Sequence, residues 1–289
     1  MGSPGFLTRN EFFVRRLHSF LGLFPVGVYV MVHLTTNASI LNGPATFQGL
    51  VYQIHSLERA LWIVEWSFIF LPLLFHAVIG VWLSFEGRPN NTHYKYANNF
   101  RYTMQRATGM IAFVFIVWHV FHLHGWIHLE AWMDRVTPFG GGLFRPFNAA
   151  TSGHDALTMS PVVPILYALG VLATTFHLAN GIWTAGITWG LWVTPQAQRR
   201  ANWLAGAIFV ALSAVGLSAI YGFVTLDTHK ARTTEDAMYE AKVAAHEIQP
   251  NDEKRSEAHD DDPGRGPDGA VPGADDKDRP PRGPSPEDL

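Results

Sequence analysis

Four histidines stand well inside long apolar stretches of this 289-residue chain: His33, His76, His119 and His177. An imidazole in hydrocarbon surroundings must find a polar partner or a metal, so it is uncommon there. A single one reads most simply as a contact between neighbouring helices. Four on four separate stretches point to a shared chemistry. Two imidazoles facing each other at one level are what a bis-histidine haem requires, and such an iron passes electrons because no axial position is left open.

The elements that carry these residues must span a bilayer. A hydrocarbon core of about 30 Å needs roughly 20 apolar residues in helical form. Five stretches qualify, at approximately residues 16–40, 61–85, 104–128, 161–186 and 201–225. Loop signals separate them: Asn42-Gly43-Pro44, Gly87 to Asn91, Gly140-Gly141-Gly142 and Thr194-Pro195-Gln196. The predicted fold class is therefore all-α, an integral membrane five-transmembrane-helix bundle with haem between helices one to four. Residues 1–226 form this domain, and residues 227–289 a charged Pro/Gly-rich acidic tail expected to be disordered, with a short helix conceivable over 231–247. No cleavable signal peptide is expected, because the first apolar stretch is long enough to span.

Composition narrows the chemistry. There is no cysteine, which excludes disulfides and thiolate iron–sulfur or zinc sites in this chain. No Gly-rich dinucleotide fingerprint and no phosphate-binding loop occur, so oxidation of an organic substrate would need a partner. Lys and Arg in the short loops number nine on the side of the N-terminus (Arg9, Arg15, Arg16, Arg88, Lys95, Arg101, Arg106, Arg199, Arg200). The other side holds Arg59, Arg135 and Arg145. That asymmetry places the N-terminus in the cytoplasm and, after five spans, the tail outside.

Depth then pairs the histidines. Helices one and three run outward with His33 and His119 past their midpoints; helices two and four run inward with His76 and His177 past theirs. At 1.5 Å per residue the offsets are on the order of 4 to 8 Å from mid-membrane. An outer pair, His33 with His119, and an inner pair, His76 with His177, follow. Gly80 and Gly181 each lie four residues after an inner-pair histidine, where a missing side chain leaves room for a flat macrocycle or for close helix packing. His18 near the start of helix one reads as an interfacial residue or a contact to a propionate or quinone, and His122 as a rival ligand one turn from His119. Arg16, Ser19 and Arg106 lie at the inner boundary, where propionates would need donors and where positive-inside arginines also belong. Glu65, near the outer end of helix two, is an interfacial acid or a proton acceptor near a quinone site.

These residues, in order, resemble a known family. Arg15-Arg16-Leu17-His18-Ser19 with Pro25-Val26-Gly27 and His33-Leu34, and then Phe70-Leu71-Pro72-Leu73 with His76-Ala77-Val78, look like the first two helices of the cytochrome b subunit of succinate dehydrogenase. The five-helix, two-haem type is meant. Gln105-Arg106 with Thr108-Gly109 and Trp118-His119-Val120 look like its third helix. Phe176-His177 with Asn180-Gly181 and Trp183, then Thr188-Trp189-Gly190 and Val193-Thr194-Pro195, look like its fourth. The likeness covers about residues 10 to 225. It implies two haem b groups with iron ligands His33, His76, His119 and His177, and a quinone, menaquinone or ubiquinone, as substrate. It also implies a flavoprotein subunit and an iron–sulfur subunit docked on the cytoplasmic face of the cytoplasmic membrane. The chain itself would not act on succinate; it would anchor the complex and carry electrons, with no nucleic acid involved. Fumarate reduction on the same architecture is the alternative. Some such relatives carry a glutamate two residues before the fourth ligand; here that position is Thr175. A haem-free transporter or anchor using the histidines for protons is the alternative from another class.

Overall fold

A computed structural model of the chain describes residues 9–57, 59–86, 97–127, 129–251 and 254–255. Five helical stretches are long and apolar enough to cross a membrane: Glu11–Asn42, Ala60–Glu86, Asn99–His124, Val162–Thr188 and Pro195–Val224. Each of the five expected from sequence is present. Their outward faces expose Trp62, Phe68, Val114, Ile165, Trp203 and Val210, a surface suited to lipid rather than water.

Two of the spans are irregular, and proline is the cause in each. The first consists of α1 (Glu11–Leu23) and α2 (Pro25–Ala38), broken at Phe24. Pro25 has no N–H to donate and cannot sit in a continuous helix without kinking it. The second span runs as α4 (Arg59–Val64), one wider π-type turn (Glu65–Phe70) and α5 (Leu71–Glu86), after α3 (Pro44–His55) has crossed the loop. Leu71 N–H bonds back to the carbonyl of Trp66, five residues earlier. The ring of Pro72 would meet the carbonyl four residues before it, and the wider turn gives it room. By contrast Pro164 lies in the first turn of its helix, where its missing N–H costs nothing.

The remaining long helices are α6 (Ala97–His124), α9 (Val162–Thr188) and α10 (Pro195–Val224), with the short α7 (Glu130–Val136) and α8 (Ala149–Thr158) between α6 and α9. Helix α9 is the most enclosed span and packs against α1, α6 and α10. Helix α10 lies along α2, and α1 along α5. Small residues allow these approaches: a Cβ on Gly216 of α10 would lie 2.6 Å from Val171 of α9.

On the loop side opposite the N-terminus the connections form a folded cap. The last described helix, α11 (Thr228–Ala244), packs on α3 and α8. Tyr52, Phe147 and Tyr239 bury together there, and the Arg255 guanidinium lies 4.6 Å from the Tyr239 ring centre. The first turn of α8 would leave its N–H groups without partners. Gln48 of α3 accepts from Ala149 N at 2.8 Å. Glu235 of α11, fully buried, accepts from Ala150 N at 2.6 Å, Thr151 N at 3.2 Å and Thr151 Oγ1 at 2.6 Å. Burial pushes the Glu235 carboxyl above the ordinary carboxylate range, against the pull of those bonds. At the end of α3, burial and then Lys254 hold the His55 ring down at about 4. The first compact unit of the chain runs to Arg255. The stretch 256–289, the greater part of the acidic tail, lies outside the described residues.

Candidate functional site

The four histidines of spans one to four meet two by two. The rings of His76 (α5) and His177 (α9) are 6.0 Å apart between centres, at 81° to each other. Those of His33 (α2) and His119 (α6) are 5.9 Å apart, at 77°. A metal bound by two opposed imidazole nitrogens at about 2 Å each needs ring centres roughly 6 Å apart. Among the described residues no group of three or more His, Asp or Glu side chains is arranged to hold a metal ion. Two nitrogens fill two positions on a metal, and the iron of a porphyrin brings its other four donors with it.

Each pair is oriented through the second ring nitrogen, a detail the sequence leaves open. His76 Nδ1 lies 2.9 Å from the backbone carbonyl of His18, and His177 Nδ1 lies 3.0 Å from that of Gln105. A carbonyl only accepts, so both Nδ1 atoms carry the proton and both Nε2 atoms keep their lone pairs, the form that binds a metal. The Gln105 side-chain amide also donates toward His177, its nitrogen 3.4 Å from Nε2 and 3.2 Å from the backbone carbonyl. In the other pair, His119 Nδ1 lies 3.3 Å from the Tyr167 hydroxyl, and His33 Nδ1 lies 3.5 Å from the Tyr29 hydroxyl.

Beside the His76–His177 pair is a cavity of about 620 Å³. It runs between spans one, two, three and four, from Ser19, Ser84 and Arg106 at one end to Trp66, Phe70 and Trp126 at the other. Two glycines make room for the histidine rings. A Cβ on Gly22 would lie 2.2 Å from His76 Cε1, and one on Gly109 would lie 2.8 Å from His177 Cε1. The break at Phe24 and Pro25 lies two and three residues after Gly22. Gly80 and Gly181, the glycines singled out by spacing, line the same cavity without touching the rings of His76 or His177. At its N-terminal-side end buried donors stand without partners: Arg106 Nε and His18 Nδ1, with Arg16 Nε close by in sequence. An orphaned guanidinium N–H at the mouth of an apolar slot, with an unpartnered ring nitrogen beside it, suits a polar, anionic group on an otherwise apolar guest.

The other candidates fall as follows. His18 is half-buried, and its ring stacks on that of His76 at 4.1 Å and 5°. His122 is buried, bonded to Tyr167, and lies outside both pairs. Arg16 donates to the Thr188 carbonyl at 3.3 Å and lies over Phe12 and Trp189. Glu65 opens the wider turn of span two, half-buried, beside Trp66 of the cavity wall. Thr175 is fully buried and shares a 2.8 Å hydrogen bond with Ser213 of α10. Gly22, Gly109 and Tyr167 carry more of the site than their sequence context suggests. A lone tyrosine in an otherwise apolar helix is the one signal that points to Tyr167.

A curated relative from Bacillus subtilis (strain 168), the succinate dehydrogenase cytochrome b558 subunit, is 38% identical over 215 residues, 74% of this chain and 98% of that protein. The chain belongs to the succinate dehydrogenase cytochrome b subunits. No family model matches it. As a member of that family it is a membrane subunit, and both the cavity and the paired histidines lie within the part that is apolar enough to span. The matched share also leaves about a quarter of the chain without counterpart in that relative.

Proposed function

We propose that this subunit binds two haem b groups, one between His76 and His177 and one between His33 and His119. It passes electrons from an iron–sulfur partner to a membrane quinone within a complex whose flavoprotein subunit oxidises succinate. The observation that carries this reading is the two histidine pairs, each at about the ring separation that one shared iron needs. Haem held by the two histidine pairs would supply a one-electron couple and, with both histidines of a pair engaged, would offer no site for oxygen. The chain's own residues do the rest. His18 and Gln105 carbonyls hold the inner rings in the metal-binding tautomer, Gly22 and Gly109 admit them, and Arg106 with His18 offers donors to the propionates. Nine basic residues put the N-terminal side in the cytoplasm, where the iron–sulfur and flavoprotein subunits dock, and the α11 cap on the outer face. Glu65, at the outer end of span two, is the carboxylate placed to exchange protons with the quinone, menaquinone or ubiquinone.

Succinate oxidation is favoured over fumarate reduction by Thr175, whose hydroxyl is engaged by the Val171 carbonyl and Ser213 and offers no ionisable group. The deciding test is haem content per chain in the detergent-purified complex. A value near two supports the reading; a value near zero in well-folded complex overturns it. The inner site makes a separate prediction. Gly22→Ala forces the His76 ring aside, because the new methyl would lie well inside van der Waals contact. Haem content is expected to fall from about two toward one, with one set of absorbance bands lost; full retention of both would remove Gly22 from the site.

A further inference from the structure

Among the described residues the two pairs differ in what their Nδ1 atoms meet. The inner pair donates to plain backbone carbonyls, whereas His119 meets the hydroxyl of a buried tyrosine. We infer that Tyr167 and His122 are positioning residues for His119. They form a directed hydrogen-bond chain that sets how strongly this ligand donates to its iron, and hence the potential of one haem relative to the other. The inference rests on the haem reading above.

The chain's direction is fixed from its far end. Met159 Sδ carries no proton and can only accept; it lies 3.3 Å from His122 Nε2, which therefore holds the ring proton. His122 Nδ1 is then an acceptor, and at 2.9 Å it takes the Tyr167 hydroxyl proton. With its own proton committed, the Tyr167 oxygen accepts from His119 Nδ1–H at 3.3 Å. His119 Nε2 is left bare for the metal. Each link polarises the next, so the phenol is a better acceptor than it would be alone. An acceptor on Nδ1 raises the basicity of the ligating nitrogen and favours the oxidised iron.

Packing holds this arrangement in place. Tyr167 is 6% exposed and His122 2%. The Trp118 ring stacks on His122 at 4.9 Å and 13°, and Phe115 stacks on His119 at 5.6 Å and 26°. The chain joins three elements: His119 and His122 on α6, Tyr167 on α9, and Met159 at the end of α8 in the cap. Sequence spacing brings only His119 and His122 together; Tyr167 and Met159 arrive through the fold.

The test uses the whole complex with its partners, titrating the haem absorbance against ambient potential alongside haem content. Tyr167→Phe is expected to keep two haems and raise one potential by about 59 mV, a tenfold change in its reduction equilibrium, while the other stays put. His122→Leu, which leaves the phenol without its acceptor, should shift the same haem the same way by less. His122→Asn, whose amide oxygen replaces Nδ1, should restore most of the native value. Unchanged potentials in both Tyr167→Phe and His122→Leu, at full haem content, overturn the inference and leave two packing residues. A haem lost from both and regained in His122→Asn supports it, and one lost from all three overturns it. If the unsubstituted complex holds no haem, the underlying reading fails instead.

Discussion

His177→Ala is expected to lower the haem content of the assembled complex from about two per chain to about one. The surviving haem belongs to His33 and His119. The reason is the way His177 is held, with its Nδ1 facing the Gln105 carbonyl at 3.0 Å and its ring facing that of His76 at 6.0 Å. Losing even an orienting partner of a ligand typically costs 10- to 100-fold in metal affinity, and losing the ligand costs more. No spare imidazole replaces it. The His18 ring lies flat against that of His76, stacked at 4.1 Å. The outer pair sits on α2 and α6, where α9 contributes the Tyr167 contact but no ligand. Pyridine haemochrome with low-temperature spectra reads the result. Two haems retained in His177→Ala would break the pairing of His76 with His177. Both lost would mean that the two sites do not fold independently.

Glu235→Ala is expected to release helix α11 from the cap at a cost of about 3 kcal/mol, because two backbone N–H groups and one hydroxyl of α8 lose their acceptor inside the protein. The contrast with Glu235→Gln makes the effect specific. Burial raises the carboxyl's pKa in the folded state, so the protonated form is favoured there over its unfolded reference. The sign follows. Stability from this group is full at pH below the ordinary carboxylate range and is lost as pH rises through the raised value. The neutral amide of Glu235→Gln keeps an oxygen for Ala150 and Thr151 and is expected to hold α11 in place with that pH dependence gone. Hydrogen exchange over residues 228–244 measures both variants. Equal protection in Glu235→Ala and the native chain would reduce Glu235 to a bystander. Haem content should be unaffected in either, since the cap helix provides none of the paired histidines.

How α11 is held shows where local pattern stops being informative. Residues 231–247 hold several Ala and Glu, and from composition they read as a short helix ahead of a disordered tail. Nothing local says that Glu235 will be fully buried, because its partners are the first-turn amides of a helix some 85 residues earlier. Apolar content measures what a membrane would accept; it cannot register a small aqueous cap held by a carboxylate, a glutamine and three aromatic rings.

The sequence by itself determined the five spans, the four histidines within them and their sorting by depth. Each follows from quantities counted along one chain, namely runs of apolar residues, the rise per residue of a helix, and the alternating direction of successive spans. The tertiary structure decided what surrounds those histidines. It put Gly22 and Gly109 against the rings and Gly80 and Gly181 on the cavity wall, since which glycine meets a ring depends on the crossing of separate helices. It gave His76 and His177 their carbonyl partners and placed Tyr167 between His119 and His122. Hydrogen bonds are satisfied over about 3 Å in space, and residues 48 or 72 positions apart in sequence come that close only once the helices have packed.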